Sequence, residues 1–228
     1  MTAEAPRVVA LIAARDEQAM IGRTVVAISR AGPHEVVVVD DGSSDATAAV
    51  ALAAGATVLR IPGGIGKGGA MEGALRRLPP ADVWLFADAD LGESAGGLRT
   101  VIDEVKDERA DLAVALFPPQ EGGGLGMVRR AAAMAIRRLS GFEAQQPLSG
   151  QRAITADCLS VVRPLAGGFG VETAMTIDAV RAGFRVVEVP VTGLAHRATE
   201  RTLKGFRHRG RQGAEIARAA VVRLVRLR

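Results

Sequence analysis

The chain has 228 residues, 48% of them apolar and 24% charged, with a net charge of +4 and a single cysteine, Cys158. That size and composition exclude a disordered chain and are read as one domain over 1–228, and a lone cysteine excludes an internal disulfide and points to a reducing compartment. Aromatic residues make up only 3%, with no tyrosine, so no nucleic-acid-reading module is expected.

In chain order, strand-like and helix-like segments alternate. The runs RVVALIA (7–13), HEVVVVD (34–40), ATVLRI (56–61), DVWLFAD (82–88) and ADLAVALF (110–117) predict buried strands. Between them, 17–29, 44–54, 67–78 and 94–107 carry helical periodicity, the second behind a Ser/Asp cap. This alternation predicts an α/β fold with a mostly parallel sheet covered by helices on both faces. The second half predicts a glycine-rich loop at 118–126, a helix at 127–140, a short strand at 151–155, a helix at 170–183 and a strand at 184–191. A final helix is expected from about Leu203, in a stretch where residues 196–228 carry ten Lys/Arg against two acids. Such a basic stripe suits an anionic membrane face, a partner subunit or a phosphorylated substrate, and equally a solvated helix face. No apolar run of about 18 residues occurs and residues 1–10 lack a leader's layout, so a cytoplasmic protein is expected.

The stretch PGGIGKGGAMEGALR (62–76) looks like a phosphate-gripping loop. It fails the G-x-x-x-x-G-K-[ST] pattern at both ends, since Ile61 stands five residues before Gly66 and Gly68 follows Lys67. A dinucleotide fingerprint belongs after the first strand, which here leads into AARDEQAMIG without G-x-G. The glycines are therefore read as a tight strand-to-helix turn that leaves Lys67 beside a cleft.

Acidic residues cluster where strands finish: Asp16 and Glu17 after the first, Asp40 and Asp41 after the second, Asp88 and Asp90 after the fourth. Ligands in open α/β sheets bind beyond the carboxyl ends of strands. Two aspartates two residues apart on an extended segment face one way and can hold a divalent cation that also takes diphosphate oxygens. Turn formation accounts for any one cluster by itself.

AARDEQAMIG, VVVVDDGSSDAT, GKGGAMEGAL and FADADL, in this order and spacing, resemble the nucleotide-sugar half of family 2 glycosyltransferases of GT-A fold. QPLSGQRAIT (146–155) and GGFGVETAMTIDAVRAGFRVVEVPVTGLAHR (167–197) resemble the acceptor half of the glucosyl-3-phosphoglycerate synthases and related polyprenyl-phosphate sugar transferases. The likeness runs from about 7 to 212, with Ala13 where Pro is usual and Asp16 where Asn is.

The resemblance implies a single GT-A domain, with a nucleotide-sugar half over about 1–117 and an acceptor half over about 118–228. It implies that Ala13, Ala14, Glu17 and Asp41 line the nucleobase and ribose site, that Asp88-Ala89-Asp90 is the metal and diphosphate motif, and that His196 completes the metal site with Asp90. Glu172 would sit over sugar and acceptor, as general base if the reaction inverts the anomeric centre and as an orienting group if it retains. Lys67 would contact the donor's phosphates, and Ser149, Gly150 and Gln151 would present the acceptor. By their charge, Arg152, Arg197, Arg201 and Lys204 suit the leaving diphosphate or an anionic acceptor, and equally a solvated surface.

The expected activity is hexose transfer from an NDP-sugar, UDP-linked by preference, to a small phosphorylated or polyprenyl-phosphate acceptor, with Mg²⁺ or Mn²⁺ as cofactor. Expected partners are that donor and acceptor, no nucleic acid, a membrane touched peripherally by the basic C-terminal helix at the inner face, and a second copy of the chain. A sugar nucleotidyltransferase and a non-catalytic nucleotide-sugar-binding module are the alternatives. Phosphoglycerate-type enzymes carry an Arg two residues before the metal His and a Thr in the acceptor loop, where this chain has Leu194 and Met127. Those two departures open the reading to an acceptor other than 3-phosphoglycerate.

Overall fold

The computed structural model describes residues 5–61, 63–118, 126–167 and 170–195. Seven strands form one sheet: β1 (Val8–Ala14), β2 (Glu35–Asp40), β3 (Thr57–Arg60), β4 (Val83–Asp88), β5 (Leu112–Leu116), β6 (Arg152–Thr155) and β7 (Val186–Pro190). Their order is β3-β2-β1-β4-β6-β5-β7, and β6 alone runs antiparallel to its neighbours. β1 and β4 are central, and their almost wholly buried runs suit strands covered on both faces.

Alternate residues of these strands supply two cores. Val8, Ala10, Ile12, Val36, Val38 and Leu85 face helices α1 (Ile21–Arg30) and α4 (Arg99–Lys106). Val9, Leu11, Val37, Val39, Trp84 and Phe86 face α3 (Gly66–Leu75), α6 (Ala156–Val162) and α7 (Val171–Arg181). Helix α2 (Thr47–Ala53) packs on α1, and α5 (Gly126–Ser140) on α7. Cys158 is buried in the second core, where burial pushes its thiol up to about 12 and keeps it inert.

Three elements differ from expectation. The helix expected over 94–107 is a 3₁₀ segment, Gly92–Leu98, followed by α4. Gly92, Gly96 and Gly97 are poor α-helix formers, and a Cβ at Gly97 would lie 2.7 Å from Val191 Cγ1. Helix α6 was unforeseen: Thr155, the last residue of β6, accepts the Cys158 N–H at 3.2 Å and starts it. Helix α1 begins at Ile21 rather than 17, because Asp16 takes a left-handed φ of +54°. There Asp16 accepts both the N–H and the hydroxyl of Ser44, at 2.8 and 3.0 Å, locking the two loops together.

The helix expected from Leu203 and most of the 118–126 loop lie outside the described residues. Among the described residues no helix is long and apolar enough to cross a membrane.

Glu72 on α3 ties that helix to the segment just after α6. Its carboxylate accepts from Arg163 Nε and Nη2 (3.2 and 2.9 Å), from the Leu165 N–H (3.2 Å) and from Arg76 Nε (3.1 Å). Burial alone would raise its pKa, but the Arg163, Leu165 and Arg76 contacts outweigh that and hold it below an ordinary glutamate. A depressed carboxylate stabilises the fold fully above its unfolded pKa of about 4.3 and loses that contribution as pH falls through the folded value. Glu72→Gln is expected to cost about 1–3 kcal/mol at neutral pH and to flatten the acid limb of a melting-temperature profile. An acid limb identical to the wild type's would refute this.

Candidate active site

β1 lies between two parallel neighbours, β2 and β4, so the crevice beyond its carboxyl end is where a ligand is expected. Ala13 and Ala14 end β1 there, Asp40 ends β2 with Asp41 just after it, and Asp88 ends β4. The reversed strand β6 begins at this same edge, with Arg152 opposite Phe86, and so delivers Ser149, Gly150 and Gln151 to it.

Asp88 is held from two sides. Lys67 Nζ stands 2.6 Å from Oδ1, and Gln151 Nε2 donates to Oδ2 at 2.8 Å while Gln151 Oε1 accepts the Asp88 N–H at 3.0 Å. Lys67 also donates to Glu172 Oε1 at 2.9 Å, bringing the first turn of α7 to the end of β4. Burial pulls the Lys67 pKa down, but Asp88 and Glu172 outweigh it and the ammonium titrates above an ordinary lysine. It therefore remains charged, a counter-ion to two carboxylates. A Cβ at Gly150 would come within 2.3 Å of Lys67 Nζ and 2.8 Å of Asp88 Oδ2, so only glycine leaves room for this trio.

The phosphate-like glycine turn has a different occupant. The N–H groups of Gly64, Ile65 and Gly66 converge on the Asp41 carboxylate at 3.0, 3.3 and 3.0 Å. Left-handed φ angles at Gly64 (+87°) and Gly66 (+79°) create this nest. The anion it holds belongs to the protein, and both Asp41 oxygens are engaged in a residue only 6% exposed. The turn positions Lys67 and caps α3.

Ala14 and Ala89 are buried and Ala13 is half-buried. The Glu17 N–H donates to Thr47 Oγ1 at 2.8 Å, tying the loop after β1 to α2. Asp90 is half-buried in the turn after β4. Ser149 is buried and donates its hydroxyl to Ala115 O at 2.7 Å, a link within the sheet edge.

Arg152 does not reach the cleft, contrary to expectation. It is 1% exposed, with Nε on Ser149 O (2.7 Å) and Nη1 on Thr176 Oγ1 (2.8 Å). Burial pushes it down to about 10, offset in part by Glu172 and Glu188. The register of β6 turns its side chain into the core. His196, Arg197, Arg201 and Lys204 lie outside the described residues.

Sequence reasoning did not single out Glu72, whose only local signal is an i,i+4 pairing with Arg76. No group of three or more His, Cys, Asp or Glu forms a metal cage among the described residues. Magnesium-type sites commonly take ligands from a substrate as well as from the protein.

The model of the family described as glycosyl transferase family 2 matches residues 9–164, which runs from β1 to just past α6. The chain belongs to glycosyl transferase family 2. Among relatives, this family 2 chain is 28% identical over 165 residues to glycosyltransferase AglJ of Haloferax volcanii, covering 71% of this chain and 54% of that protein. It is 31% identical over 204 residues to the glucosyl-3-phosphoglycerate synthase of Mycolicibacterium paratuberculosis, covering 77% of this chain and 61% of the other. It thus spans about half to three fifths of the length of these two. A crystal structure of the Mycobacterium tuberculosis glucosyl-3-phosphoglycerate synthase with Mn²⁺, uridine-diphosphate and phosphoglyceric acid superposes with a TM-score of 0.80 and 26% identity, covering 96% of this chain and 78% of that one. The seven-stranded, mostly parallel sheet flanked by helices is the GT-A fold.

Proposed function

We propose that this family 2 domain transfers a hexose from a nucleoside-diphosphate sugar, UDP-linked by preference, to an anionic acceptor, in the cytoplasm. The observation that carries this reading is the carboxylate set at the cleft, with Asp88 fixed between Lys67 and Gln151 and Glu172 drawn over it. Mn²⁺-, UDP- and phosphoglycerate-bound relatives of the same fold support it.

In this reading the first half, about 1–117, binds the donor and the second, about 118–228, presents the acceptor. Ala13, Ala14 and Glu17 border the nucleobase side, with Asp41 shaping that wall through the glycine turn. Asp88, pre-oriented by two partners, accepts hydrogen bonds from the ribose, and Ala89 forms the floor. Asp90 and His196 would hold Mg²⁺ or Mn²⁺, which supplies positive charge against the departing diphosphate. Asp90, a hard oxygen donor just past the end of β4, fits such a substrate-completed site, since no group of three or more candidate ligands stands together among the described residues. Glu172 orients sugar and acceptor, since Lys67 already occupies one of its oxygens. Gly150 and Gln151 line the acceptor side, and Arg197 faces the anionic leaving group.

Leu194 bears on the acceptor. The phosphoglycerate-type enzymes have an arginine there, whereas Leu194 is 1% exposed and packs in the first core. Its side chain meets no anion, and Met127 is 83% exposed. In this reading the acceptor is a phosphorylated molecule or polyprenyl phosphate, and these two departures count against 3-phosphoglycerate.

A melting series with UDP-, GDP- and ADP-glucose, each with and without Mn²⁺, tests the donor and the metal together. A ligand at a hundred times its dissociation constant stabilises by about 2.7 kcal/mol, which is roughly 5–10 °C for a chain of this size. The UDP-sugar with Mn²⁺ should give the largest shift. Shifts that ignore the metal with all three sugars would sink the proposal.

A further inference from the structure

The turn that carries Asp90 is held by two hydroxyls that belong to neither the motif nor the cleft lining. Thr24, in the middle of α1, is fully buried beneath it. Its Oγ1 donates to Ala89 O at 2.8 Å and accepts the Gly92 N–H at 2.8 Å. One atom thus grips the backbone on both sides of Asp90 and Leu91. Gly92 takes a left-handed φ of +56°, which turns its N–H back toward that hydroxyl. An apolar residue at 24 would leave a buried carbonyl and a buried N–H unpaired.

The second hydroxyl joins this turn to a distant stretch of chain. Ser94 Oγ lies 2.7 Å from Leu91 O, accepts the Ala195 N–H at 3.1 Å and lies 3.0 Å from Ala195 O. Residue 195 immediately precedes His196. The segment from Val191 to Ala195 is pressed onto the same 3₁₀ segment, with Val191 against Gly97 and Leu194 buried. Thr24 sets the Asp90 turn, and Ser94 fixes where the chain leaves it toward position 196.

We propose that Thr24 and Ser94 are positioning residues for divalent-cation binding, fixing the separation between Asp90 and the backbone that leads to His196. The inference rests on the metal site proposed above. Side chains that orient metal ligands typically matter by 10–100-fold in affinity, and two ligands on separate segments bind well only when their spacing is set beforehand.

The test is Mn²⁺ affinity at saturating UDP, read by the electron paramagnetic resonance of free Mn²⁺, alongside UDP affinity without metal and the melting temperature. Ser94→Ala and Thr24→Val should each weaken Mn²⁺ binding by about tenfold or more, with metal-free UDP binding unchanged. Thr24→Ser, which keeps the hydroxyl, should restore it. Thr100→Ala removes an exposed hydroxyl bonded to Gly97 O that does not touch residue 195, and should leave Mn²⁺ affinity as it was. Should Thr24→Val not fold, Ser94→Ala decides, because Ser94 is only half-buried. Wild-type Mn²⁺ affinity in Ser94→Ala overturns the proposal, as does an equal loss in Thr100→Ala. A wild-type protein that binds UDP but no Mn²⁺ overturns the metal reading and this inference with it.

Discussion

Asp90→Ala is expected to fold and melt like the wild type while losing sugar transfer by roughly a thousandfold, the scale on which removing a single stabiliser of transition-state charge acts. The separation of roles within Asp88-Ala89-Asp90 is the reason. Asp88 has one oxygen on Lys67 and the other on Gln151, so its removal would leave the buried Lys67 ammonium leaning on Glu172 and unsettle the cleft. Asp90 stands past the end of β4, in a turn whose backbone is held from behind by Thr24. Cutting its side chain away should spare that backbone. Product formation assayed with Mn²⁺ and the UDP-sugar, together with a melting curve, separates the two effects. Near-wild-type turnover by a folded Asp90→Ala protein would remove Asp90 from the chemistry.

Gly68→Ala and Gly69→Ala, adjacent substitutions on one helix, should have opposite signs. In an unpacked helix either change is favourable by about 1 kcal/mol, since alanine is the better helix former. Gly69 has that freedom, with nothing nearer to a new Cβ than Ile65 at 3.4 Å. At Gly68 the Cβ would fall 1.9 Å from the backbone oxygen of Ala166. A carbonyl held in a segment that Glu72 pins through Arg163 and Leu165 cannot swing aside as a side-chain tip would. Either α3 or the segment leading to α7 must move, at a cost of about 1–3 kcal/mol for overpacking, and Glu172 moves with it. Denaturant melts should rank Gly69→Ala at or above wild type and Gly68→Ala well below it. Donor binding should weaken only in the latter. Equal stability of the two variants would show that α3 does not press on that segment.

Much of the fold is legible in the residue order. Near-continuous runs such as VVALIA and EVVVVD mark strands buried on both faces, and the helices between them imply parallel pairing. The reversal of β6 is not written in QRAIT, because a strand of four residues reads alike in both directions. Its direction comes from pairing antiparallel to β4 and β5 at once. The 3₁₀ segment could have been suspected from Gly92, Gly96 and Gly97. The tight fit of Gly97 against Val191, which settles it, joins residues far apart in the chain.

The site divides along the same line. The sequence by itself determined which chemical groups are present, their order and the edge of the sheet they reach, because strand-end positions follow from the alternation of strand and helix. Tertiary structure decided what each group faces. Asp41 and the glycine turn both look like donor-binding parts in one dimension, yet they satisfy each other. Lys67 looks like a phosphate ligand and is shared by Asp88 and Glu172, the second of which arrives from another helix. Arg152 looks like an anion receptor and is core. A charged group at this edge is costly to bury unpaired, so its partner sets its role, and partners are chosen by contacts between segments that the local sequence does not encode.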